Sequence, residues 1–189
     1  MDRRTKYTQN IIKETLIDLL SEKDITKITV SEICQIADIN RATFYRYYLD
    51  VYDLLEKIEE NFSQELIEAY TTEVITEYTV SNFAKALLKV FIENKKLVKI
   101  LFANKTTTNF LEEILEIVYQ TCKDKWEQDL PGISQEDIEY ASIFLFNGAL
   151  GVINFWIKND FDKDVNEIAH IIEQLAYFGL KKYIYKLKF

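Results

Sequence analysis

The stretch Thr29–Tyr48 reads TVSEICQIADINRATFYRYY, and its spacing predicts two short helices joined by a tight turn. Val30, Ile33, Cys34 and Ala37 fall at i, i+3, i+4 and i+7, which is one face of a helix. Thr29 precedes them and Glu32 lies three residues on, a capping box whose hydroxyl and carboxylate can satisfy two free N–H donors. Asp38-Ile39-Asn40 breaks the pattern, and Asp and Asn both tolerate left-handed backbone. Asn40 is placed to cap a second helix from Arg41 to Tyr48, with Phe44 and Tyr48 turned back toward the first. Arg41, Ala42, Thr43, Arg46 and Tyr47 are left pointing outward.

Two short helices on such a turn make a helix-turn-helix, whose second helix enters the major groove of DNA. The outward set suits that role. Arginine pairs bidentately with guanine, and an alanine or threonine methyl meets a thymine methyl. Hydroxyls of Thr43, Tyr45 and Tyr47 can donate to phosphates. An ordinary helical hairpin with a solvated outer face would show the same spacing.

The residues Thr29-Val30-Ser31-Glu32-Ile33 with Ala37, followed by Asn40-Arg41-Ala42-Thr43-Phe44-Tyr45-Arg46-Tyr47-Tyr48, resemble the DNA-binding signature of the TetR family of transcriptional regulators. The likeness runs on to Leu54 and covers the first quarter to third of the chain; beyond it, only helical pattern and length agree. It implies a DNA-binding set of Thr29, Asn40, Arg41, Ala42, Thr43, Tyr45, Arg46 and Tyr47. It also implies an all-α chain of about nine helices: a three-helix head over residues 1–50 and a larger ligand-binding and dimerisation domain over 51–189. Three positions depart from the family pattern. Asp38 replaces a turn glycine, Tyr47 a common histidine, and Val51 a lysine that contacts phosphate, so one anchor is missing.

The net charge of −8 looks wrong for a DNA binder until it is divided along the chain. Residues 1–48 carry eight basic and seven acidic side chains, and the remainder fifteen and twenty-four. All four arginines, Arg3, Arg4, Arg41 and Arg46, lie in the first part, where bidentate phosphate and guanine recognition would need them. The acidic remainder should stand away from the duplex. Four glycines and one proline favour long helices over phosphate loops, and no G-x-G-x-x-G or P-loop string occurs. Two cysteines, Cys34 and Cys122, make no disulfide framework, and a single histidine leaves no metal-ligand spacing, so neither a metal nor a cofactor is expected. MDRRTKY has no apolar signal segment, so a cytoplasmic location is expected.

Along the chain, Arg3, Arg4 and Lys6 read as a basic arm, and Thr8 as the cap of a first helix over about residues 9–22. Asp50 caps a fourth helix from Val51 to about Tyr70, with Tyr52, Leu54, Leu55, Ile58 and Phe62 apolar along it. Ser81 is placed to cap a helix to about Asn94, residues 95–102 form a shorter one, and Thr107 or Thr108 starts another. Ser134 opens a long helix to Asn159, and Asp164 the last. Tyr140–Ile157 carries no formal charge and borders the length of a membrane span; a helix buried on nearly every side of a soluble bundle is the simpler reading. The last two helices are the dimer elements that the resemblance implies, and Asn147-Gly148-Ala149-Leu150-Gly151 permits close helix approach there or within one subunit. Phe102, Phe110, Tyr119, Trp126, Tyr140, Phe144, Phe155 and Trp156 are candidates to line an apolar ligand cavity, although aromatics at helical spacing also serve as plain core.

The leading reading is a homodimer that binds double-stranded DNA at a pseudo-palindromic operator and responds to a small apolar or amphipathic effector, most simply as a repressor. The alternative is an activator or co-regulator acting through a partner protein. An enzyme would need more than His170 beside Glu167 and Glu173.

Overall fold

A computed structural model describes residues 3–76, 80–103, 119–120, 123 and 133–187. Among these the secondary structure is all helical: α1 (Arg3–Leu20), a 3₁₀ turn (Ile25–Lys27), α2 (Val30–Ile36), α3 (Arg41–Tyr45), α4 (Val51–Thr76), α5 (Val80–Glu93), α6 (Lys95–Ala103), α7 (Gln135–Lys158) and α8 (Val165–Leu187). The helix expected from Thr107 or Thr108 lies outside the described residues. The chain divides into two compact units, Met1–Glu65 with Asn94–Asn104, and Leu66–Glu93 with Lys105–Phe189.

In the first unit α1 packs on α2 and α6, and α2 on α3. Ile12 and Leu16 of α1, Ile33 of α2, Phe44 of α3, Leu54, Ile58 and Phe62 of α4, and Val98 and Leu101 of α6 are fully buried. The members from α1 to α4 are the apolar positions that the helical spacing marks, those of α6 are not, and each buried side chain of this size is worth roughly 1.5–3 kcal/mol. Tyr52 is the exception: it stands 56% exposed, off the stripe. Helix α1 begins earlier than expected. Thr8 is no cap; its hydroxyl donates to the Arg4 carbonyl within the helix, and Arg3, Arg4 and Lys6 form exposed first turns instead of an arm.

In the second unit α5 and α7 both pack on α8. Leu88, Phe91, Ile138, Ala141, Trp156, Ile157, Ile168, Ala169, Ile172 and Ala176 form its buried set. Ser81 lies inside α5, one residue past its start. Ser134 and Asp164 cap as expected: Ser134 Oγ accepts from the Asp137 N–H at 3.1 Å, and Asp164 Oδ1 from the Asn166 N–H at 2.8 Å. That bond holds the Asp164 carboxyl below its ordinary range.

The turn between α7 and α8 is a Schellman motif without glycine. Asp160 and Phe161 have φ of 59° and 58°, the Phe161 N–H donates to the Trp156 carbonyl at 2.9 Å, and the Asp160 N–H to Ile157 at 3.1 Å. Left-handed backbone costs an L-residue roughly 1–2 kcal/mol. Burial of Phe161 edge-on to Trp156, ring centroids 5.0 Å apart, offsets it. Trp156 Nε1 also donates to the Lys163 carbonyl at 2.9 Å.

Helix α7 is not buried on nearly every side. Tyr140, Ile143, Phe144 and Phe155 are all at least half exposed, and nothing lies within 4 Å of a Cβ built on Gly148 or Gly151. Of the described helices it alone is long and apolar enough to cross a membrane by length and composition.

Candidate nucleic-acid interface

The two short helices are held by their ends. Thr29 Oγ1 accepts from the Glu32 N–H at 3.2 Å and starts α2. Glu32 does not complete the box: its carboxylate pairs with Lys23 Nζ at 2.5 Å, tying α2 to the connector after α1. Asp38 takes the left-handed position with φ of 51°, and the Ile39 N–H returns to the Cys34 carbonyl at 3.0 Å. Asp therefore does here what the family's glycine does, as its short polar side chain allows. Asn40 Oδ1 accepts from the Thr43 N–H at 2.7 Å and from its hydroxyl at 2.9 Å, which starts α3. Burial pushes the Cys34 thiol up, so it remains a neutral core group.

Helix α3 ends at Tyr45, earlier than the expected Tyr48, with Arg46 as its cap. Phe44 is fully buried, and Tyr48 packs on it with centroids 5.6 Å apart. Arg41, Ala42, Tyr45 and Arg46 are exposed together on the short helix and its cap, with Thr29 and Asn40 exposed at the two helix starts. Thr43 and Tyr47 are half-buried. Two details change the roles expected of them. The Thr43 hydroxyl donates to Asn40 Oδ1, so it is already engaged within the turn. The Arg41 guanidinium donates to the Ser31 hydroxyl of α2, a partner the spacing alone did not mark.

The corner between α3 and α4 carries further polar structure. Asp50 Oδ1 caps α4 through the N–H groups of Tyr52 and Asp53 at 2.8 and 2.9 Å. Asp53 Oδ2 accepts from the Leu49 N–H at 2.8 Å and from Lys57 Nζ at 2.9 Å; these two partners, the amide first, hold its carboxyl below the ordinary range. Val51, where the family carries a lysine, is 6% exposed, so its side chain serves the core and not an outer surface. Leu49 and Tyr52 stand exposed at this corner instead. The Asp53/Lys57 pair is readable as an i, i+4 pair, but Leu49 carries no sequence signal for exposure.

The described members of the expected cavity set differ in exposure. Tyr140, Phe144 and Phe155 face outward, Trp156 is core, and Phe102 is half-buried on α6. Tyr119 packs edge-on to Phe146 with centroids 5.9 Å apart. Phe110 and Trp126 lie outside the described residues. His170 is exposed, its Nδ1 3.8 Å from Glu173.

A family model for the C-terminal region of transcriptional regulators, TetR_C_8, matches residues 78–177, more than half of the chain. The chain belongs to the TetR family. Two curated relatives match this TetR-family chain in part: the uncharacterized HTH-type transcriptional regulator YxbF of Bacillus subtilis (strain 168), 33% identical over 89 residues, and DhaS of Lactococcus lactis subsp. lactis (strain IL1403), an HTH-type dhaKLM operon transcriptional activator, 40% identical over 65 residues. These matches take in 46% and 34% of this chain, and span only 23% and 35% of the relatives' own lengths. A TetR-like transcriptional regulator from Rhodococcus sp. RHA1 superposes with a TM-score of 0.70 over 92% of this chain and 96% of its own, at 16% identity, and shares the fold. The chain is thus a transcriptional regulator of TetR type, all helical among its described residues.

Proposed function

We propose that the chain binds double-stranded DNA through α2 and α3 as a homodimer and regulates transcription from a pseudo-palindromic operator. The observation that carries this reading is the outer surface of α3 and its cap: Arg41, Ala42, Tyr45 and Arg46 are exposed beside a helix whose inner face, Phe44, is fully buried. Arg41 at the first turn reads a base edge, with Ala42 and the Thr43 methyl available to thymine. Tyr45, Arg46, Tyr47 and Thr29 contact phosphates. Asn40 shapes the helix start more than it reads DNA, because its side chain caps α3.

One such head offers few base contacts, and two-fold pairing doubles them. The uncovered face of α7, with Leu175 and Phe178 of α8, supplies the pairing surface. Phe144 lies 3.7 Å from a Cβ built on Gly179, so the two helices' exposed faces adjoin. An apolar or amphipathic effector would act by preferring one arrangement of the paired chains over another. The aromatic pair Tyr119 and Phe146 is the described place to seek it.

Repression is the simpler mode of action. Activation is the second reading, favoured by the likeness of 65 residues to a relative known as an activator. Selection of bound fragments from genomic DNA tests the reading. Enriched inverted half-sites about one helical turn apart, or a multiple of it, are expected. Enrichment of none would overturn it. Transcription from the selected site, with and without the protein, then gives the sign.

A further inference from the structure

Helix α3 is five residues long, and the segment after it, Arg46–Asp50, has left the helix before α4 begins. A helix of this length has no stability of its own, so its pose depends on what holds its ends. Asn40 fixes the first end. At the other end, Lys57 Nζ reaches back ten residues and donates to the Tyr47 carbonyl at 3.1 Å. It simultaneously pairs with Asp53 Oδ2 at 2.9 Å, and it lies over the Tyr48 ring, 5.4 Å from the centroid. Asp53 Oδ2 accepts in turn from the Leu49 N–H at 2.8 Å. Lys57 and Asp53, one turn apart on α4, thus grip three consecutive residues of the connector: Tyr47 by its carbonyl, Tyr48 by its ring and Leu49 by its amide. A cation on carbonyls just past a helix C-terminus is favourable, and the aspartate beside it keeps the local charge balanced. Lys57 side-chain exposure is 42% and that of Asp53 is 17%, so water screens the pair only in part.

We infer that Lys57, held by Asp53, is a positioning residue for the recognition helix. It fixes the far end of α3 against α4, so that sequence-specific DNA affinity depends on it while non-specific affinity does not. The inference rests on the reading of α3 as the recognition helix. Non-specific binding needs phosphate contacts in loose register, whereas base readout needs the helix axis fixed. Lys57 is committed inward, to a carbonyl, a carboxylate and a ring, and so is not itself a phosphate contact.

The test uses the full-length chain with Lys57→Met, which keeps the stem and removes the charge, and Lys57→Arg, which restores a cation. Affinity for the selected operator should fall about tenfold in Lys57→Met and recover most of that in Lys57→Arg. Affinity for random DNA and the slope of log K against log salt should stay as in the parent chain. A slope shallower by about 0.9 per lost contact, with random DNA weakened equally, would make Lys57 a phosphate contact and overturn the inference. Unchanged operator affinity would overturn it too. Amide exchange gives a readout that needs no DNA: the amides of 43–49 should exchange faster in Lys57→Met and in Lys57→Gln, while those of α1 and α6 keep their protection. Equal protection in parent and variants would also overturn it. A parent chain that prefers no sequence would defeat the reading of α3, and the exchange data would still decide whether the clamp holds.

Discussion

The α2–α3 region and the α7–α8 region solve the same problem to different degrees. Both contain a helix ended by an aspartate in left-handed conformation, Asp38 after α2 and Asp160 after α7, with the next amide returning to a carbonyl five residues back. In the first region Ile33, Cys34, Phe44 and Tyr48 are all buried while Ile36 of α2 and Leu49 after α3 stand exposed, and the exposed side chains of α3 and its cap are arginine, alanine and tyrosine. In the second, Tyr140, Phe144, Phe155, Leu175 and Phe178 remain 60–70% exposed. Large apolar side chains exposed in such number are the kind of surface that marks an interaction site. The head encloses its core within one chain and turns Arg41 and Arg46 outward. In the proposed homodimer the α7–α8 face would be covered by the same face of a second copy.

The largest effect should follow from charging that face. Phe144→Asp with Phe178→Asp removes two aromatic side chains whose burial is worth roughly 1.5–3 kcal/mol each, and two-fold symmetry counts each twice. The dimer dissociation constant should rise by at least about a hundredfold, with operator affinity falling in step. Sedimentation at micromolar concentration should show dimer for the parent chain and monomer for the variant. A variant that stays dimeric would place the interface elsewhere and break the comparison.

Next in size is the head itself. Arg41→Ala should cost about 1–3 kcal/mol per half-site and relax preference at one base position. Tyr47→Phe should weaken binding less and evenly across sequences, since a phosphate contact carries no sequence information. Competition titrations with operators changed one base pair at a time separate the two patterns. Because Arg41 donates to Ser31, a guanidinium that stays on that hydroxyl in the complex would leave base preference unchanged in Arg41→Ala.

The parts of this contrast that the sequence disclosed are those set by local chemistry. Thr29, Asn40, Asp50, Ser134 and Asp164 each cap the helix that their residue type and spacing announced, because a cap needs only its own next three residues. The stripes of α1 and α4 were legible because polar residues alternate with them at helical period. What failed depended on choices between partners. Glu32 could reach back to its own helix start or across to Lys23, and took the lysine. Thr8 could cap or bond a carbonyl one turn back, and sits in a helix that starts at Arg3. Helix α7 misled most, because a helix apolar all round carries no stripe, so nothing local says which side meets α8 and which stays open. The aromatics assigned to a cavity from that helix therefore fell partly on its outer face.

The smallest effect sharpens the head's side of the comparison. From the sequence, Val51 looked like a lost phosphate anchor that Val51→Lys would restore. In the structure Val51 is the first residue of α4 and 6% exposed, part of the closed core beneath the α3–α4 corner. A lysine there would place an ammonium near the positive end of a helix dipole and displace packed apolar surface. Its long stem can carry the charge toward water, which limits the damage to about 1 kcal/mol. The melting temperature of Val51→Lys should therefore drop by a few degrees, with the salt dependence of DNA binding unchanged. If instead the slope steepens by about 0.9 per subunit and random DNA binds more tightly, the stem has threaded out to the phosphate backbone. That result would mean that the first turn of α4 opens on DNA, and that the head is less completely closed than its buried residues imply.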